Sequence, residues 1–213
     1  MTVDGSIIVA QPAAPSELVL LFHGVGASAR DLLPLAELLA KSLPQAMVVS
    51  VQAPFASDFG SGHQWFSVRG ITEGNRPERI AQALPIFQDA VRRWQSEAGI
   101  SSDKTTLIGF SQGAVMALES TQAGTAPART IVSLAGRFAA NVRHLNPGTV
   151  YHLIHGDRDE VVPTEHSIRG AAQLKQLGAE VTLDLVPSLG HGIDGRMAGL
   201  VVNFVRQEKV VSQ

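Results

Sequence analysis

The chain has 213 residues, 45% hydrophobic and 17% charged, with a net charge of −2, a balance that excludes a disordered tether and fits one α/β domain spanning 1–213. Its charges are interspersed without a basic block, which argues against nucleic acid and anionic membrane as partners. There is no cysteine, so disulfides, thiolate metal sites and a thiol nucleophile are all excluded.

The chain opens on Met1-Thr2-Val3-Asp4-Gly5, which lacks the cationic flank and apolar core of a signal peptide and leads us to expect a cytoplasmic protein. No apolar run approaches the ~18 residues that cross a bilayer, so stable membrane insertion is not expected. Ser6-Ile7-Ile8-Val9 reads as an antiparallel edge strand, and Glu17–Phe22 is a continuous apolar run, as in a strand covered on both faces. Apolar residues at helical spacing follow from Asp31 to Leu43, then a strand at Met47–Val51. About 22 residues then pass before the next helix, a length that usually marks a functional loop. Phe55, Phe59, Trp65, Phe66 and Ile71 make it too apolar for a tether.

From near Arg76, the stripe Ile80, Ala83, Leu84, Phe87, Val91 and Trp94 predicts an amphipathic helix. Strands are predicted at Thr105–Ile108, Thr130–Leu134, Val150–Ile154 and Val181–Val186. Helices are predicted at Ala114–Glu119, from Thr164 to Leu177 with Gly178 closing it, and from Asp194 to Glu208. Strands alternating with helices give an α/β fold with a mostly parallel sheet and helices on both faces.

Between the strand at Thr105–Ile108 and the following helix lies Gly109-Phe110-Ser111-Gln112-Gly113. This G-x-S-x-G, placed between strand and helix, reads as a nucleophile elbow with Ser111 at its apex. The glycines spare a sharply folded backbone from side-chain collisions, and the helix aims free N–H groups at the place where negative charge develops.

A serine nucleophile needs a base and a carboxylate to orient it, in the chain order Ser, acid, His for this architecture. His144, His152, His155, His166 and His191 follow Ser111. His152 and His155 fall in or at the end of a strand, His144 precedes the acid-bearing loop, and His166 sits on a helix. His191, in Leu189-Gly190-His191-Gly192, lies on a loop between the last strand and last helix and is assigned as the base. The acid belongs to the loop His155-Gly156-Asp157-Arg158-Asp159-Glu160-Val161-Val162-Pro163. Asp159 is favoured, because Val161 and Val162 would anchor the loop beside it. Asp157, which could instead form an Asx-turn, stays open. The Gln112 N–H is one candidate oxyanion donor. The other should come from His23-Gly24-Val25-Gly26, with His23 itself structural. The histidines show no zinc-binding pattern, and no metal is expected.

These pieces, together with Gln64-Trp65-Phe66, resemble the phospholipase/carboxylesterase branch of the α/β-hydrolases, which includes the acyl-protein thioesterases; the small bacterial esterases look nearest. The resemblance runs over nearly the whole chain. It implies the α/β-hydrolase fold without a large cap domain, and a serine hydrolase working through Ser111, His191 and Asp159, the second aspartate of its loop. It further implies Val25 as the second oxyanion amide, no cofactor, and a small carboxylic ester as substrate. The thioesterase members usually carry His-Gly-Leu-Gly-Asp, where this chain has Val25, Gly26 and Ala27; that departure favours a general esterase. Trp65 and Phe66 are candidate substrate-binding residues, of which an extended backbone would turn only one toward the acyl group. A monomer or homodimer is expected. The competing readings are a peptidase or lactonase on this fold, and a non-catalytic binding protein that kept it.

Overall fold

The computed structural model describes residues 4–122 and 124–211, with side chains to 207. Residues 1–3, part of the opening segment expected to be no signal peptide, lie outside the described residues. The elements in chain order are β1 (Ile7–Ala10), β2 (Glu17–Phe22), α1 (Leu33–Ser42), β3 (Ala46–Val51), β4 (Phe55–Ala56), β5 (His63–Gln64), α2 (Arg76–Ala98), β6 (Thr105–Phe110), α3 (Gln112–Ser120), β7 (Thr130–Leu134), β8 (Val150–Gly156), α4 (Glu165–Gln176), β9 (Glu180–Val186) and α5 (Gly195–Val211).

Seven strands form one sheet in the order β1-β3-β2-β6-β7-β8-β9. β1 runs antiparallel to β3 at one edge, and the other pairings are parallel. Strand alternation sorts the core into two layers. Leu18, Leu20 and Phe22 of β2 face one side, with Phe87 and Trp94 of α2, Met116 of α3 and Leu174 of α4. Val19 and Leu21 face the other, with Leu39 of α1 and Met197, Val201 and Phe204 of α5. The continuous apolar runs in β2 and β3 follow from this two-sided burial.

The chain leaves β2 toward one edge and returns at β6 to build the other. β2 and β6 therefore flank the point where strand order reverses, which in open α/β sheets is where ligands bind, outside the carboxyl ends of the strands. Two local features depart from the sequence expectations. The helix expected from Asp31 begins as a 3-10 turn at Ala29–Leu32 and becomes α-helical at Leu33. Pro34, lacking an N–H to donate, suits that first turn. The long connection folds back on itself as the hairpin of β4 and β5, whose two-residue strands are too short to show a period in the sequence. Among the described residues no helix is long and apolar enough to cross a membrane.

Candidate active site

β6 ends in a turn so tight that Ser111 has φ 52° and ψ −114°, a conformation costly for a residue with a side chain. The flanking glycines make it possible. A Cβ on Gly109 would lie 2.4 Å from the Ala114 nitrogen, and one on Gly113 would lie 2.1 Å from the Phe22 carbonyl oxygen. The Ser111 amide donates to the Leu134 carbonyl of β7 at 2.9 Å. The serine is thus held above the sheet edge at the N-terminus of α3.

The loops after β8 and β9 bring two further groups to it. His191 Nε2 lies 2.9 Å from Ser111 Oγ, and His191 Nδ1 lies 2.7 Å from Asp159 Oδ2. The carboxylate can only accept, so the imidazole proton sits on Nδ1 and Nε2 is free to accept from the serine. The Phe110 ring lies 5.0 Å from the His191 ring, centroid to centroid, and walls one face. Asp159 Oδ1 accepts the Val161 and Val162 amides, each at 2.9 Å. Burial works to raise the Asp159 carboxyl, but the His191 N–H and these two amides outweigh it and hold the group below its ordinary value. Asp157, the rival acid, points elsewhere. It is exposed and accepts the Ser188 amide at 2.6 Å, across 31 residues.

The segment after β2 passes beside the serine. A Cβ on Gly24 would come 3.2 Å from Ser111 Cβ. His23, buried at 1% exposure, fixes this segment. The Ala53 amide donates to its Nε2 at 3.1 Å, so Nδ1 carries the proton and donates to the Gly24 carbonyl at 2.7 Å. Burial pushes the ring's pKa down, in keeping with this neutral form. Because a trans peptide directs C=O and N–H oppositely, holding the Gly24 carbonyl also orients the Val25 N–H. Among the described residues the Val25 and Gln112 amides have no acceptor within the protein.

Sequence reading assigned Gln112 only its backbone. Its buried side chain reaches the long connection, where Oε1 accepts the Trp65 amide and Nε2 donates to the Phe66 carbonyl, both at 2.8 Å. A glutamine next to a nucleophile carries no sequence signal for this pairing across 47 residues. Trp65 and Phe66 border a cavity of about 510 Å³ with Phe55, Gln64, Arg79 and Ile86. Trp65 is 1% exposed and packs edge-on against Phe22 and Phe87. The extended backbone that would turn the two residues opposite ways is absent, since β5 stops at Gln64 and the backbone bends at both positions.

Comparison with known proteins agrees with this architecture. The Phospholipase/Carboxylesterase family profile matches residues 3–209. Esterase YpfH of Escherichia coli strain K12 is 40% identical over 200 residues, covering 93% of this chain and 86% of the relative. Acyl-protein thioesterase 1 homolog 1 of Dictyostelium discoideum is 23% identical, with 89% of each chain covered. Among solved structures, esterase PE8 superposes with a TM-score of 0.83 at 28% identity, covering 91% of this chain and 93% of its own. The chain belongs to the Phospholipase/Carboxylesterase family and is a carboxylesterase on the serine-hydrolase α/β fold.

Proposed function

We propose that Ser111, His191 and Asp159 form the catalytic triad of a single-domain esterase, with the Val25 and Gln112 amides as its oxyanion hole. One observation carries this reading: a hydroxyl, an imidazole and a carboxylate from three separate loops meet in sequence at 2.9 and 2.7 Å. Ser111 Oγ attacks the acyl carbonyl carbon while His191 Nε2 takes its proton. The carbonyl oxygen becomes an oxyanion facing two unpaired amides, each such donor contributing on the order of 3 kcal/mol to the barrier. Asp159 keeps the accepting tautomer of His191 in place and stabilises the imidazolium. Collapse expels the alcohol, which His191 protonates, and leaves an acyl-serine. Water, deprotonated by His191, then releases the acid and restores the serine.

The substrate is a small carboxylic ester whose acyl group is received beside Trp65 and Phe66. The Gln112 side chain supports that placement, since it joins the nucleophile turn to the wall of the 510 Å³ cavity. With this reading go a chain acting alone or as a homodimer, as the family resemblance implies, and a cytoplasmic setting. A fluorophosphonate probe should label the wild-type protein, and Ser111→Ala should abolish labelling and lower kcat by about 10⁴–10⁶-fold. Labelling of the alanine variant, or retained turnover, would overturn the assignment. A series of p-nitrophenyl esters from acetate to laurate then gives the acyl preference.

A further inference from the structure

A second histidine stands behind the triad. His155, at the end of β8, is fully buried, with side-chain exposure of 0%, as has the Asp159 side chain. Its Nε2 lies 2.8 Å from the Val162 carbonyl oxygen and 3.2 Å from Asp159 Oδ2. Both are pure acceptors, so Nε2 carries the proton. On the other side of the ring, Nδ1 lies 2.7 Å from the Ser167 hydroxyl of α4 and, once Nε2 is protonated, accepts from it. Ser167 Oγ also lies 3.2 Å from the Gly136 carbonyl oxygen. The ring therefore ties the acid loop to α4.

The placement bears directly on Asp159. Its Oδ1 is occupied by the Val161 and Val162 amides, and its Oδ2 by His191 Nδ1. The remaining approach to Oδ2 is faced by the positive edge of His155. A carboxylate this deeply buried needs donors around both oxygens to keep its charge and its rotamer. The same His155 N–H bonds the carbonyl of Val162, whose own amide holds Oδ1. One ring thus braces the loop and lays its positive edge against the carboxylate that the loop carries.

We propose that His155 is a positioning residue of this esterase, its Nε2–H holding the Val162 carbonyl of the acid loop while the same ring edge, 3.2 Å from Asp159 Oδ2, moderates the negative charge that His191 feels through that carboxylate. The proposal rests on the triad reading above. His155 works as a neutral donor, since burial pushes its pKa down against the pull of the Val162 carbonyl and Asp159. The titratable groups facing it are Asp159 and, beyond it, His191. Its partners from the flanking elements, Ser167 of α4, Gly136 after β7 and Leu185 of β9, are uncharged.

The test uses the full chain with methyl butyrate, acid release being titrated from about pH 5.5 to about pH 9, with melting temperature measured in parallel. In His155→Leu, Asp159 loses the positive ring edge beside Oδ2 and presses more charge on His191. We expect kcat to fall about ten-fold or more at nearly constant KM, and the acid limb of kcat/KM to move up by about half a pH unit. His155→Gln, whose amide N–H reaches the same region, should return the limb and most of kcat. A folded His155→Leu with wild-type kcat and an unmoved or lowered acid limb overturns the proposal. So does a glutamine variant that rescues nothing while both limbs stay put. Should the leucine variant fail to fold, Ser167→Ala decides. Releasing Nδ1 loosens the ring and should shift the same limb upward, whereas a folded variant with an unmoved limb overturns the proposal. If Ser111→Ala keeps its activity, the triad reading itself has failed; if Ser111 is required and the limb is unmoved, only the role of His155 has.

Discussion

The Asp157 carboxylate accepts the Ser188 amide at 2.6 Å, so the loop that bears Asp159 is tied to the loop that bears His191. Ser188 has φ 58°, a left-handed turn that needs such a partner to persist. Asp157→Ala should free the His191 loop and lower kcat by about ten-fold or less, whereas Asp159→Asn should lower it by about 10⁴ through the wrong tautomer of His191. Steady-state rates of the two variants, side by side, settle which aspartate belongs to the reacting chain.

Gln112→Ala leaves the Ser111 backbone in place but strips the partners from the Trp65 amide and Phe66 carbonyl. Losing two buried hydrogen bonds should cost about 1–3 kcal/mol in urea unfolding. It should also raise KM for long acyl esters more than for acetate, because the cavity wall is no longer pinned. The ratio of KM values across an ester series reads this directly.

Trp65 and Phe66 should separate by what their loss does. Trp65 is wedged between Phe22 and Phe87 with ring centroids 5.9 and 5.0 Å away, so Trp65→Ala should cost about 3–5 kcal/mol of stability. Phe66, at 7% exposure, sits nearer the opening. Phe66→Ala should widen the cavity and raise the kcat/KM ratio of long to short esters by about three-fold or more, in line with the area an acyl chain buries. Chemical denaturation and the ester series check the two outcomes.

Stability should fall as the medium is acidified. His152 on β8 stacks on Phe204 at 4.0 Å and meets the Thr182 hydroxyl. Burial pushes it from 6.5 down to about 4, and Asp184, 3.6 Å away, does not offset this. Between those values the unfolded chain binds the proton and the folded chain does not, so stability is full above about 6.5 and declines toward 4. The loss from this residue reaches about 3 kcal/mol. His23 and His155, also lowered by burial, act with the same sign. Unfolding at pH 7 and at 4.5 measures the slope, and His152→Gln should flatten it.

The strands and helices were legible because a sheet covered on both faces writes long apolar runs, as in Glu17–Phe22 and Val150–Ile154, between helical stripes. Ser111 and His191 stood out because each sits among glycines at a strand end. Other features could not be read from the chain. Asp157 and Asp159 share one loop, and which turns inward depends on the amides of Val161 and Val162. The two-residue hairpin of β4 and β5 is below any periodicity, and the bend at Trp65 and Phe66 defeats a strand alternation. Gln112, His23 and His155 act through partners 47, 30 and 12 residues away, distances that only folding makes short.

The bridge from Gln112 to the Trp65–Phe66 bend has an evolutionary corollary. The residues proposed to polarise the hydroxyl follow strand ends, while the wall of the hollow at Trp65 and Phe66 belongs to a long crossover joined on through an amide side chain. Descendants of this molecule can therefore reshape that crossover, lengthening or trimming it at the Phe59–Gly60 tip, and so inherit new tastes without relearning how to cut.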